Sequence, residues 1–391
     1  MILHMRRAGF LFAVATAACG FSIPRESVPD APVDSPPPDV PFDGCHAVEI
    51  AASGDHTCAR AADGSVSCWG RGENGELGVL PLQTRCQIAT RMELCSTTPR
   101  KLAISQVTAL GLGGFHSCAA TSTSAYCWGL NAFGEYGNGM LVDATPTVAV
   151  AQRAGARVID GGIFHTCSLA NGSVSCSGKN TAGEVGNNMV VPESTATNVL
   201  QNATTLAAGA YSTCAIDTQK QLSCWGRNDY KQIDASQAAR LSPTLVAGIS
   251  DAAQVAVGVD HICVVRGDRT GICWGSNASG QLGNGQVMGG PQSQVPVGID
   301  DLVELSAEGY HTCGRDLAGT VWCFGDGYTP TPTKVSLARP AIALTTGARH
   351  DCAVTDDGAV WCWGAQDYGQ LGNGITSSSP AATPQVAALC P

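Results

Sequence analysis

Imidazole and sulfur recur together in this sequence. His56-Thr57-Cys58 precedes Cys68-Trp69-Gly70, and the frame returns with its first cysteine at 58, 118, 167, 214, 263, 313 and 352. The second cysteine stands 10 residues on in five copies (Cys68, Cys224, Cys273, Cys323, Cys362) and 9 in two (Cys127, Cys176). A histidine near two cysteines raises the question of zinc, but no copy has the closely spaced C-x-x-C knuckle that structural zinc sites use. The alternative is a disulfide inside each copy, joining Cys58 to Cys68, Cys118 to Cys127, Cys167 to Cys176, Cys214 to Cys224, Cys263 to Cys273, Cys313 to Cys323 and Cys352 to Cys362. The histidines at 56, 116, 165, 261, 311 and 350 hold one repeated position. A catalytic histidine is normally single, so these read as structural, each bonding a neighbouring backbone group. The tryptophans at 69, 128, 225, 274 and 363 read as packing between copies. No G-x-S-x-G or H-E-x-x-H is present, and Gly280 to Gly285 lacks the Lys-Ser/Thr of a phosphate loop. The sequence therefore offers no catalytic residue, cofactor or metal site.

The spacing fixes the elements that hold these residues. A directly opposed cross-strand pair places the hairpin turn at its midpoint. For Cys167 and Cys176 the midpoint is Asn171-Gly172, the preferred type I′ pair. The 10-residue copies need three-residue loops with a left-handed last position, and Ala62-Asp63-Gly64, Leu317-Ala318-Gly319 and Asp356-Asp357-Gly358 supply glycine there. Ser122-Thr123, Thr218-Gln219-Lys220 and Gly267-Asp268-Arg269 leave their turn types open. Opposed residues in non-hydrogen-bonded pairs approach closely enough for a disulfide.

Composition agrees with a β protein that uses disulfides. The 391 residues include 47 glycines and 19 cysteines, with 14% charged residues and 6% aromatic. A cysteine load of that size belongs to an oxidising compartment. The net charge of -10 excludes a general nucleic-acid binder and favours a basic partner over an acidic one. At the N-terminus, Arg6-Arg7, an apolar stretch from Ala8 to Ala18 and Thr16-Ala17-Ala18-Cys19 read as an export signal over 1–18. This arrangement resembles the signal of bacterial lipoproteins, which implies lipidation of Cys19. An ordinary secretory signal cut nearby is the alternative. Residues 19–44 are rich in proline and aspartate and read as a disordered tether.

The repeat recurs about every 49 residues, a period of the kind that marks propellers and solenoids. Written out, the unit is G-x-x-H-[ST]-C-x-x-x-x-x-G-x-V-x-C-W-G-x-N-x-x-G-[QE]-L-G-N-G, clearest in Gly258 to Gly285 and Gly347 to Gly374. It resembles the repeat of the regulator of chromosome condensation family. That resemblance implies an all-β, seven-bladed β-propeller of four-stranded blades over 45–391. Departures are Ser212 for histidine in the fourth copy, Ser177 and Phe324 for tryptophan in the third and sixth, Lys231-Gln232-Ile233 for Gly-Gln-Leu in the fourth, and loss of G-Q-L-G in the sixth. The first copy lacks a leading Pro-x-x-Val strand such as Pro243 to Val246, and the chain ends in Pro384 to Cys390. The expectation is that this C-terminal strand completes the first blade, with Cys45 bonded to Cys390. An insertion at about 80–101 holds the remaining pair, Cys86 and Cys95. Arg85, Arg91, Met92, Arg100 and Lys101 make it the candidate contact loop.

These readings converge on an exported, membrane-anchored recognition module. Its location is the cell envelope, as an outer-membrane lipoprotein or on the cell surface, or else it is secreted. Its partner is a protein or surface glycan; it touches no nucleic acid, meets the membrane through its lipid anchor alone, and is a monomer. A carbohydrate-active enzyme, sialidase-like or a lyase, with its site at the channel mouth is the alternative. Guanine-nucleotide exchange by family analogy ranks below both, because a small GTPase is cytosolic. Asn171, Asn202 and Asn277 open glycosylation sequons, relevant in a host that glycosylates.

Overall fold

The structure, a computed structural model, describes residues 46–389 apart from 80, 81, 83, 89, 90, 151 and 152. The signal, the tether, Cys19, Cys45 and Cys390 lie outside the described residues. The fold is all-β and forms a seven-bladed propeller. The innermost strands are Ala47–Ser53, Ala109–Leu112, Val158–Gly161, Ala203–Ala208, Ala252–Val257, Leu302–Glu308 and Ala341–Thr346. Each packs beside the next, and the seventh returns to the first, so the ring is closed. Every blade is an antiparallel meander read outward from the channel, and alternate side chains of neighbouring blades fill the space between them.

The cysteine hairpins stand at the middle of each blade. All seven cysteine pairs are directly opposed in register. In the structure each pair is a disulfide with its Cα atoms 4.1 Å apart, and every one of these cysteines is fully buried. Asn171 and Gly172 both have positive φ, at 50° and 78°, as a type I′ turn requires. Gly64, Gly319 and Gly358 are left-handed at their loop ends. Lys220 and Arg269 adopt the same conformation, φ 61° and 66°, so loop length imposes it where glycine is absent.

Two expectations are corrected. The C-terminal strand, Ser377–Val386, pairs with Val360–Gln366 inside the seventh blade and does not complete the first. The Pro-x-x-Val segment trails its unit: Arg240–Leu245 pairs with the Cys224 strand that precedes it. A short connection back onto the preceding strand costs less chain entropy than a crossing to the next blade, so each blade is contiguous in sequence. The first blade departs from four strands. Its insertion folds as a hairpin, Arg85–Ile88 with Arg91–Lys101, giving a five-stranded sheet. A disulfide joins Cys86 and Cys95 there, with Cα atoms 5.9 Å apart. The sixth blade has an outer strand of 3 residues, Thr333–Val335, where the G-Q-L-G segment is missing.

Candidate recognition face

The repeated histidines link blades. Nε2 of His56, in the first blade, lies 2.8 Å from Oγ of Ser117 in the second. The same bond joins His116 to Thr166, His165 to Thr213, His261 to Thr312 and His350 to Thr57. The acceptor is therefore a side-chain hydroxyl of the next blade, not the backbone group that the sequence suggested. Burial drives these imidazoles toward the neutral form, His56, His116 and His261 to pKa values of about 3 and His165 and His350 to about 4. The hydroxyls and the tryptophans then share one acceptor on the preceding blade. Ser117 and Trp128 both donate to the carbonyl of Glu76, and Thr57 and Trp69 to that of Gln370. Repeated polar residues are thus consumed in holding blades together.

What remains free to vary lies at one end of the blades. In every blade the residue before the repeat histidine (Tyr211, before Ser212, in the fourth) accepts, through its carbonyl, a backbone bond from the residue after the conserved glycine. Arg71 N reaches Asp55 O at 2.9 Å, Lys179 N reaches Phe164 O at 2.8 Å and Arg227 N reaches Tyr211 O at 2.9 Å. The glycine is required between them: at Gly70, φ 100°, a Cβ would stand 2.5 Å from the carbonyl oxygen of Asp55. Seven equivalent bonds thus bring together two positions that differ from blade to blade. The first reads Asp55, Phe115, Phe164, Tyr211, Asp260, Tyr310 and Arg349, and the second includes Arg71, Lys179, Arg227 and Asp326.

These side chains meet across blade boundaries. The Arg227 guanidinium lies 4.0 Å from the Tyr211 ring centre and pairs with Asp260. Lys179 Nζ is 5.3 Å from the centre of Phe164 and 5.8 Å from Phe133. Phe164 stacks on Phe115 at 5.5 Å, and Arg71 covers Phe115 at 5.1 Å while bonding Glu93 of the insertion at 2.9 Å. Arg349 bridges Asp55 at 2.9 Å and Asp367 at 3.1 Å. Burial raises the pKa of Asp55 and of Asp260, while Arg349 and Arg227 respectively work to lower it.

The channel opens beside this ring. A cavity of about 250 Å³ runs between the seven inner strands. Glu308 accepts from Gly54 N at 2.8 Å and Ser53 Oγ at 3.0 Å, and Asp160 from Ala208 N and Gly161 N at 2.9 Å each. Burial pushes Glu308 up to about 8 and Asp160 up to about 7. Each of these carboxyls thus accepts a backbone bond from another blade, Glu308 from Gly54 and Asp160 from Ala208. Cys313, Cys323 and Asp351 place three ligand atoms within 4.8 Å of one another, but both sulfurs belong to a disulfide.

Profiles described as "Regulator of chromosome condensation (RCC1) repeat" match residues 47–76, 203–232, 341–370 and 357–389. The propeller carries regulator of chromosome condensation repeats in its first, fourth and seventh blades. Human "E3 ubiquitin-protein ligase HERC2" is 29% identical over 197 residues, covering 44% of this chain and 4% of the ligase. "Probable E3 ubiquitin-protein ligase HERC4" of Rattus norvegicus is 30% identical over 140 residues, covering 32% of this chain and 13% of that protein. The chain thus matches a small part of these relatives' length. Human WBSCR16 superimposes with a TM-score of 0.72 at 18% identity, covering 83% of this chain and 94% of that one. Prp20p of Saccharomyces cerevisiae, described with binding properties to Gsp1p and histones, gives 0.70 at 18% identity, covering 88% and 87%. At such identity these two show the fold alone.

Departures from the RCC1 repeat are matched in pairs. Where the fourth blade has Ser212 for histidine, the fifth has Ile262 for the hydroxyl, and Ile262 packs in an apolar cluster. Where the third blade has Ser177 for tryptophan, buried Arg153 fills the space. Ser177 and Arg153 both donate to the carbonyl of Glu135, and burial brings Arg153 down to about 9. Where the sixth blade lacks G-Q-L-G, Tyr328 takes the place of the missing carbonyl. Trp363 donates to its hydroxyl at 2.6 Å, and that hydroxyl donates to Asp351, which also bonds His311 at 2.8 Å. Burial opposes charge on His311, but the Asp351 carboxylate prevails and raises its pKa.

The residues of the expected contact loop do not form one patch. Arg71 pairs with Cys95 in register, so Arg85, Arg91 and Met92 rise beyond the blade at the recognition face. Arg100 and Lys101 pair with Cys68 and Ser67, toward the opposite end, about 30 Å away along the strand. Sequence reasoning missed Phe115, Phe164, Lys179, Tyr211 and Arg227. Their signal was present as the two columns that change within an otherwise regular repeat.

Proposed function

We propose that the protein is an exported recognition module that grips a protein partner with the face around the channel mouth. The observation that carries this reading is the convergence of unlike cationic, acidic and aromatic side chains at two positions of a repeat that is regular elsewhere. Half-buried Phe115, Phe164 and Tyr211 offer rigid apolar contact, and Arg71, Arg227 and Arg349 offer directional donors, the residue types that dominate protein interfaces. That Prp20p, of the same fold, is described as binding proteins supports the class of partner. Export is supported by the Arg6-Arg7 n-region with its apolar stretch and by the cysteine load, and anchoring by Cys19 after small residues. Most glycosidases act through two carboxyls facing one bond. Asp55, Asp260 and Asp367 are each committed to an arginine instead.

Affinity capture from cell-envelope extracts tests the reading. The full chain should retain a defined protein, and Arg227→Glu with Phe164→Ala should weaken its binding about tenfold or more. Equal capture by both chains, with both folded, would place the interaction elsewhere.

A further inference from the structure

In four blades the loop that follows the cysteine hairpin ends in exposed apolar residues. In the second blade Met140, Leu141 and Val142 are 62%, 51% and 70% exposed in succession. In the third, Met189 and Val190 are exposed, in the fifth Val287 and Met288, and in the seventh Ile375. Runs of exposed apolar residues on a soluble protein call for a partner. All four tips lie at the recognition face, because the outer strands that follow them start opposite the ends of the tryptophan strands. Gly129 pairs with Ala144, Asn180 with Val191, Asn277 with Met288 and Gln366 with Ser377.

Three of these tips are clamped by a repeated asparagine. Fully buried Asn131 donates to the carbonyls of Met140 and Val142 and accepts from Tyr136 N. Asn180 does the same for Met189 and Val185, and Asn277 for Gln286 and Leu282. The side chains are therefore presented outward on clamped loops. On a chain of net charge -10, the stretches 138–142, 187–192 and 284–297 contain no charged residue. The hairpin that rises from the same face carries exposed Arg85, Arg91 and Met92.

We propose that this crown of apolar tips seats the recognition face on a lipid surface, so that the partner is met at a membrane. Protein interfaces have an apolar centre and a polar rim. Here the order is inverted, with charge and aromatic rings at the centre and apolar residues at separate points on the periphery. Separate uncharged tips suit a flat, fluid partner that each can enter independently, and the hairpin arginines complement anionic headgroups. The inference takes from the proposed function the location of the face, not the identity of any partner.

Vesicles of phosphatidylcholine with phosphatidylglycerol test it, using the full chain with Cys19→Ser so that no acyl group can attach. This chain should float with the vesicles. Replacing Met140, Leu141, Val142, Met189 and Val190 by serine should reduce partitioning about tenfold or more, since each apolar group withdrawn from lipid weakens binding. Unchanged thermal unfolding would show that the variant is folded, and Leu317→Ser, in an exposed turn at the opposite end of the sixth blade, should leave partitioning as it was. Vesicles left unbound by the Cys19→Ser chain, or bound equally by the serine variant, would overturn the proposal. So would loss of protein capture by the serine variant without any vesicle binding, which would assign the crown to a protein contact.

Discussion

Nε2 of His350, in the seventh blade, lies 2.7 Å from the hydroxyl of Thr57 in the first, joining the two ends of the ring across 293 residues. Both groups are fully buried, and both partners belong to the repeat. Ring closure therefore uses the bond that joins other neighbouring blades, with no exchanged strand. A double-mutant cycle with His350→Ala and Thr57→Val should give a coupling energy of about 1 kcal/mol in chemical denaturation. Additive effects would mean that the bond contributes nothing to closure.

The same histidines set the acid limb of stability. Unfolded, they titrate near 6.5, whereas in the fold His56, His116 and His261 titrate near 3 and His165 and His350 near 4. Between those values the unfolded chain takes up protons that the fold refuses. Stability should thus fall as pH drops from about 6.5 toward 3. Glu308 and Asp160 act in the other direction, because their folded pKa values are raised to about 8 and 7. Their contribution is fully present below the ordinary carboxylate range and is lost as pH rises through those values. Melting temperature against pH should peak near about pH 6, and Glu308→Gln, which keeps an oxygen for Gly54, should flatten the alkaline limb alone. A peak that stays sharp on the alkaline side in Glu308→Gln would contradict this.

Arg153 replaces a tryptophan that the repeat puts elsewhere in the chain. Arg153→Ala should cost about 3 kcal/mol by leaving a cavity and stranding buried carbonyls. Adding Ser177→Trp to that variant should recover part of the loss, because the indole N–H can reach the Glu135 carbonyl that Ser177 now uses. Ser177→Trp with Arg153 in place should be overpacked and less stable than the double variant. Calorimetry on the three chains decides the order.

Ala47 and Ala387 share one buried cluster with Trp69 and Leu371, and Leu389 packs against it. Cys45 and Cys390 lie just beyond these segments in sequence, outside the described residues, and a bond between them is our proposal. Non-reducing peptide mapping should return one peptide pair containing both cysteines. Free thiols at these positions, or either cysteine bonded within a blade, would refute it.

Much of this was legible in residue spacing. The Asn171-Gly172 turn followed from the distance between Cys167 and Cys176, and the left-handed loop ends at Gly64, Gly319 and Gly358 followed from loop length. The seam was not legible. A period fixes the size of a unit but not where it begins, so Pro243 to Val246 could lead one blade or trail another until the pairing of Thr244 with Cys224 was known. The partners of the histidines were hidden for a related reason. Ser117 is 61 residues from His56, and the hydroxyl becomes the acceptor once the next blade is packed against it. Charge density groups Arg100 and Lys101 with Arg85 and Arg91, although the strand register carries the two pairs toward opposite ends. The informative feature was instead variation at the positions of Phe164 and Lys179.

Site-specific photo-crosslinking on intact cells tests the central claim most directly. Tyr310, on the recognition face, and Leu317, in a turn at the opposite end of the same blade, are 46% and 57% exposed, so access does not distinguish them. A photoreactive residue at 310 should capture a discrete protein and one at 317 should not. Capture at 317 with none at 310 would contradict the assignment of the face.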